Sequence, residues 1–152
     1  MTTLSPHDAL ELITVMELLT CAGVAWSVPH VTDEDIAVLR DLLDRHTRAY
    51  EAGDLTTAAL TGAAFSREFI APAGNRELLT HIDLVVSRYQ RILFLVPDDG
   101  TWRVWRQGYA DILAHLTAGE REAAVARYRR IYPAFRAQVA GTGQPPRAQR
   151  SP

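Results

Sequence analysis

The 152-residue chain has a single cysteine, Cys21. One thiol cannot close an internal disulfide, and alone it cannot build a thiolate metal site. Neither sign of charge is in large excess: 16 basic residues stand against 18 acidic ones, for a net charge of -2. That balance excludes the concentrated basic footprint of a nucleic-acid-binding surface. No apolar run reaches the roughly 20 residues of a membrane span. No basic segment followed by an apolar one opens the chain as a secretory signal would. A cytoplasmic location is the expectation that follows, with no membrane and no nucleic acid among the partners. Internal repeats, a Gly-rich phosphate loop and a serine nucleophile elbow are also lacking.

What the chain does have is helical periodicity from end to end, within the 47% hydrophobic content of an ordinary globular domain. Ser5-Pro6 opens a first helix whose apolar face reads Leu10, Ile13, Val15, Leu18 and Leu19, fading near Gly23. A short connection, Val24 to Val31, follows. Thr32 caps a second helix, with Asp35 completing a capping box, and Ile36, Leu39, Leu42 and Leu43 form its stripe. Gly53 ends it, and Asp54 caps a third helix running to Phe69. Pro72 and Gly74 break the chain before Asn75 caps a fourth, which buries Leu79, Ile82, Val86, Tyr89 and Leu93. Pro97 to Gly100 reads as a turn. The fifth helix carries Trp102, Trp105, Tyr109, Ile112 and Leu113, and Gly119 separates it from a sixth. Pro133 should kink or interrupt that last helix. The fold class is therefore all-α: a single six- to seven-helix antiparallel bundle. Residues 1–140 form the domain, and 141–152, rich in Gly, Pro, Gln and Arg, read as a disordered tail.

Four segments carry more than periodicity: TDEDIAVLRDLL, EAGDL, AFSREFIAPAGNRELL and AGEREAAVARYRRIY. An AGN-x-x-LL turn and helix following an AF-x-x-x-F helix is the specific part. In these the chain resembles the FCD domain, the helical effector-binding half of many GntR-type regulators, over roughly residues 8 to 140. The resemblance implies a central ligand cavity with a metal ion at its floor. It also marks a departure. The family's Asp-x-x-Phe-His pattern keeps Phe65 here, but Gly62 stands at the Asp position and Ser66 at the His position. The family's two further histidine ligands fall at Tyr109 and Ile131. None of these four residues holds a divalent cation well. No metal and no other cofactor is therefore expected, and His7, His30, His46, His81 and His115 read as surface or helix-end residues. The winged-helix DNA-binding domain that usually precedes the bundle is not expected either, because the first bundle helix begins so near Met1.

The candidate ligand-binding residues are Glu17, Gly62, Ser66, Arg88, Trp105 and Tyr109. Gly in a helix interior costs about 1 kcal/mol relative to Ala, so Gly62 suggests a close approach. Glu17 shares a face with Leu10, Ile13 and Cys21. A carboxylate facing a core either pairs with a cation or shifts its pKa upward. Arg88, more than Arg91, suits a carboxylate. Tyr109 directs its hydroxyl where the ion would lie, and Trp102 and Trp105 precede it as wall or plain core. Ser66 lacks a visible activating base.

Two functions remain open at this level. One is a binding module that holds a small, partly apolar molecule without metal. The other is a metal- and cofactor-independent enzyme of a specialised-metabolite pathway, of cyclase, isomerase or lyase type, with Glu17 and Tyr109 as acid and base. Pairing into a homodimer is expected from the resemblance.

Overall fold

The computed structural model describes residues 5–95 and 99–141, with side chains up to residue 91 in the first stretch. Six α-helices follow one another: α1 (Pro6–Ser27), α2 (Asp33–Glu51), α3 (Leu55–Ile70), α4 (Arg76–Leu95), α5 (Asp99–Thr117) and α6 (Arg121–Gly141). Two 3-10 turns, Val28–His30 and Ala71–Ala73, follow α1 and α3. No strand occurs among the described residues. The all-α bundle read from the sequence is the fold observed. The proposed tail lies almost wholly outside the described residues, as do Pro97, Asp98 and the side chain of Leu93; Asp99 and Gly100, expected in a turn, open α5 instead.

Local chemistry sets the helix starts. Ser5 Oγ accepts the Asp8 amide at 3.1 Å while the Asp8 carboxylate accepts the Ser5 amide at 3.1 Å. Thr32 and Asp35 repeat this box at 3.2 and 2.8 Å. Asp54 and Asn75 each accept one amide of the following turn at 3.0 Å. Each cap satisfies an amide that has no partner inside its helix, typically for about 1 kcal/mol. Gly53 and Gly119 lie just beyond α2 and α5 with φ of 75° and 76°, backbone that other residues adopt only at a cost.

Three expectations change on contact with the structure. First, α1 does not fade near Gly23 but runs to Ser27, and its buried face is Ala9, Leu12, Ile13, Met16, Thr20, Gly23, Val24 and Ser27. Val15 and Leu18, read as core, are 45% and 68% exposed. The helix is apolar nearly all round, so periodicity alone could not orient it. With the following turn, Pro6–His30 is in fact long and apolar enough to cross a membrane by length and composition. In the bundle it packs against α3, α4 and α6 as a core helix. Second, Pro133 does not interrupt α6. The proline ring is exposed, and fully buried Ile131, Tyr132 and Phe135 anchor the helix on both sides of the missing amide bond. Third, α3 extends one residue beyond Phe69, to Ile70.

The core is heavily aromatic. Phe65, Phe69, Tyr128, Tyr132 and Phe135 are all fully buried, each contributing roughly 1.5–3 kcal/mol by burial. Helices α5 and α6 approach closely at Gly108, where an added Cβ would fall 2.4 Å from Ile131 Cδ1 and 2.6 Å from its Cγ1. Real carbons do not come that near, and Ile131 is fully buried with no room to retreat. Gly108→Ala should therefore destabilise the domain by about 1–3 kcal/mol in thermal unfolding. Adding Ile131→Ala should recover part of that loss, whereas strictly additive penalties would contradict this packing.

Candidate functional site

One face of α3 presents only small side chains, Ala58, Ala59, Gly62 and Ala63, and leaves a recess. Opposite it α5 presents large ones, Trp102, Trp105 and Tyr109, spaced three and four residues apart so that they share a face. Met16 and Thr20 of α1, His46 of α2, Ser66 of α3, and Ile82, Val86 and Tyr89 of α4 complete the wall. The cavity is narrow. Its free volume is only ≈ 30 Å³, against the roughly 10–15 Å³ one water requires. Its lining is almost wholly apolar, and Phe65 stacks on Tyr109 from behind with ring centroids 4.3 Å apart.

The polar groups around this cavity fall into two sets. The first is satisfied internally. Tyr109 donates its hydroxyl to the Gly62 carbonyl at 3.0 Å and lies 3.3 Å from Ser66 Oγ. Tyr128 of α6 donates to Ser66 Oγ at 3.1 Å. Behind them Thr20 Oγ1 and the Tyr132 hydroxyl are 2.7 Å apart. Burial pushes the pKa of Tyr109, Tyr128 and Tyr132 above the ordinary phenol value, so these hydroxyls stay protonated as donors.

The second set is not satisfied. His46 is only 2% exposed, and its Nδ1 lies 2.8 Å from the Ala58 carbonyl oxygen. A carbonyl only accepts, so Nδ1 carries the proton and the neutral ring keeps its lone pair on Nε2. No group meets that Nε2, nor the Nε1–H of Trp105. Thr101 Oγ1, also without a partner, does not line the cavity. Burial holds the His46 pKa below the ordinary 6.5, partly offset by the bond to Ala58 and reinforced by the nearby Arg106 charge.

Of the residues read from sequence as ligand-binding, Gly62, Ser66, Trp105 and Tyr109 come together at this cavity. Glu17 and Arg88 do not. Glu17 is half-buried and forms an ion pair with Arg136 of α6, which also donates to Thr14 at 3.3 Å. This is the pairing that a carboxylate on a partly buried face requires. Arg88 is exposed on α4. Ile131 sits behind Gly108 in the α5–α6 seam, and it is Tyr128, one turn earlier, that reaches Ser66.

His46 is the residue sequence reasoning missed. It was read as a surface or helix-end residue and is instead buried at the cavity. The signal was its spacing: Leu39, Leu42, His46 and Ala49 form one buried stripe of α2, and a polar residue inside such a stripe must find a partner or a use. A divalent metal does not fit the residues present. The four positions that the family resemblance implies for it supply a glycine without a side chain, a serine shared between two tyrosines, a protonated phenol and the aliphatic Ile131. Among the described residues no three His, Cys, Asp or Glu side chains cluster.

A family model of the FCD domain matches residues 11–133. The chain belongs to the FCD domain family. FCD domains generally serve as the ligand-binding effector domains of GntR regulators, and the cavity described above lies within the matched segment. No curated protein sequence matches this FCD domain. Among solved structures it is similar to Lar, which controls the expression of the Listeria monocytogenes agr system and mediates virulence. The TM-score is 0.77 and the identity 14%, over 90% of this chain and 65% of that one. Likeness at that identity is one of fold, and the chain spans only that 65% of the Lar chain.

Neutral burial of His46 makes the domain acid-sensitive. The unfolded chain takes up a proton near the ordinary value of 6.5, which the folded state accepts only at lower pH. The stability held above that value is therefore lost as pH falls through the lowered folded-state pKa. Thermal melts of the wild type should decline as pH drops below 6.5, with a shallower decline in His46→Phe. Parallel declines in the two proteins would contradict a buried neutral imidazole.

Proposed function

We propose that this FCD domain binds a small, largely apolar molecule in the cavity between α3 and α5, and that it does so without a metal ion. The observation that carries this reading is the cavity's composition. Its wall is apolar and aromatic, while two of the residues that line it carry buried polar atoms, His46 Nε2 and Trp105 Nε1, with no partner in the protein. An apolar concavity with a few convergent polar groups is the usual form of a small-molecule site.

The enzymatic reading has less support. Glu17 is engaged by Arg136 away from the cavity, so it is not placed to exchange a proton with anything Tyr109 could touch. Tyr109 already donates to Gly62, and its pKa is raised rather than lowered. Tyr109 therefore lacks the near-neutral poise that general acid–base work favours.

The reading extends to assembly as a cytoplasmic homodimer. On α1, Val15, Leu18 and Trp26 are exposed along one side, an apolar stripe of the kind that a partner covers.

Native mass spectra of gently purified protein test these points together. The expected species is a dimer carrying one organic adduct per chain and no divalent metal. A stoichiometric metal adduct, or a monomer at micromolar concentration, would contradict the corresponding part. Gly62→Ala sharpens the test. Its added Cβ would lie 3.4 Å from His46 and 3.6 Å from Tyr109, in ordinary contact. The melting temperature should hold or rise, since alanine favours helix by about 1 kcal/mol, while the retained adduct diminishes. Glu17→Gln should leave adduct retention unchanged.

A further inference from the structure

We infer that His46 and Trp105 form the polar recognition pair of this cavity, and that they select an uncharged, hydroxyl-bearing apolar molecule, an alcohol or a phenol, over a carboxylate. The inference rests on the proposal that the cavity is a ligand site and adds the chemistry of what enters it.

The argument begins with the two unpaired atoms. A buried polar group without a partner costs on the order of 1–3 kcal/mol, and native structures carry few of them. Two of them, on residues that line one cavity and among three such side-chain atoms in the described residues, therefore need a common explanation. They are complementary in kind. Trp105 Nε1–H is a donor only. His46 Nε2 is an acceptor, because its other nitrogen is held by the Ala58 carbonyl at 2.8 Å. A hydroxyl group is the smallest organic function that suits either, accepting from the indole or donating to the imidazole.

Charge excludes the alternatives. A carboxylate has no proton to give to Nε2 and would enter a wall with no cation on it. Arg106, whose charge acts on His46, is drawn over the ring of Tyr50 at 5.2 Å. A cationic amine would have to shed its hydration against aromatic and aliphatic carbon. Protonating His46 to welcome an anion would work against the burial that disfavours its charged form. Of the other polar side chains on the wall, Tyr109, Ser66 and Thr20 already satisfy one another or their neighbours, and Tyr89 packs edge-on against Trp105 and Phe135, so specificity is assigned to the two open atoms of His46 and Trp105. The small free volume means that side chains must turn aside to admit a ring-sized molecule.

Isothermal titration of the full chain with phenol, anisole and benzoate tests the pair on wild-type protein. These probes share a ring and differ in the one function at issue. Phenol can donate and accept, anisole can only accept, and benzoate is an anion. Phenol should bind at least tenfold more tightly than anisole, and benzoate should show no heat. In His46→Phe the phenol–anisole difference should collapse to within about twofold. Trp105→Phe should weaken both probes, which provides a second variant if His46→Phe fails to fold. Equal binding of phenol and anisole to the wild type would overturn the role of His46 while leaving the cavity as a ligand site. Tighter binding of benzoate would overturn the choice of a neutral ligand. Heat from none of the three would overturn the pair and the apolar-site reading together.

Discussion

Two hydrogen bonds to the backbone of α3 hold the centre of this molecule together. The His46 imidazole of α2 donates to the Ala58 carbonyl, and the Tyr109 hydroxyl of α5 donates to the Gly62 carbonyl one turn later. Both carbonyls are on the small-residue face of α3, where Ala58, Ala59, Gly62 and Ala63 let rings from two other helices come close. Large side chains on that face would push α2 and α5 away, and the bonds could not form. The same smallness leaves the cavity. The grip on α3 and the void beside it are thus consequences of one run of residues, and each bond fixes the orientation of a ring that lines the void.

The hydroxyls around Ser66 extend this arrangement to α6. Tyr109, Ser66 and Tyr128 link α5, α3 and α6, and Thr20 with Tyr132 ties α1 to α6. A metal site of the kind the family uses would place charged or imidazole ligands at some of these positions and organise them through the ion. Here neutral hydroxyls organise one another. Buried neutral hydrogen bonds are worth most when every member is satisfied, and burial keeps these phenols in the protonated state that the network needs. The two atoms left out of the arrangement, on His46 and Trp105, are therefore conspicuous.

Much of this was legible in the sequence, and for identifiable reasons. Capping residues Ser5, Thr32, Asp54 and Asn75 act locally, so the helix starts follow from them. The stripe of α5 was correct because Trp102, Trp105, Tyr109, Ile112 and Leu113 alternate with polar residues at helical spacing. The face of α1 was not legible, since an all-apolar helix carries no period to read, and its neighbours decide which side is covered. Glu17 looked inward for the same reason, and Arg136, which pairs with it, lies 119 residues away in sequence. Gly62, Ser66 and Tyr109 came from position within a family pattern, and the structure brings them together. His46 belongs to no such pattern, and only the burial of its stripe on α2 separates it from the surface histidines.

The central claim is that His46 is neutral, protonated on Nδ1, and open at Nε2 inside the bundle. Long-range proton–nitrogen correlation spectra of the histidine side chains, recorded at neutral pH on the wild-type protein, report tautomer and protonation directly. The account predicts one imidazole with a pyrrole-type Nδ1 and an unprotonated, pyridine-type Nε2, absent from the spectrum of His46→Phe. Two matching nitrogens of an imidazolium, or a proton on Nε2, would contradict it.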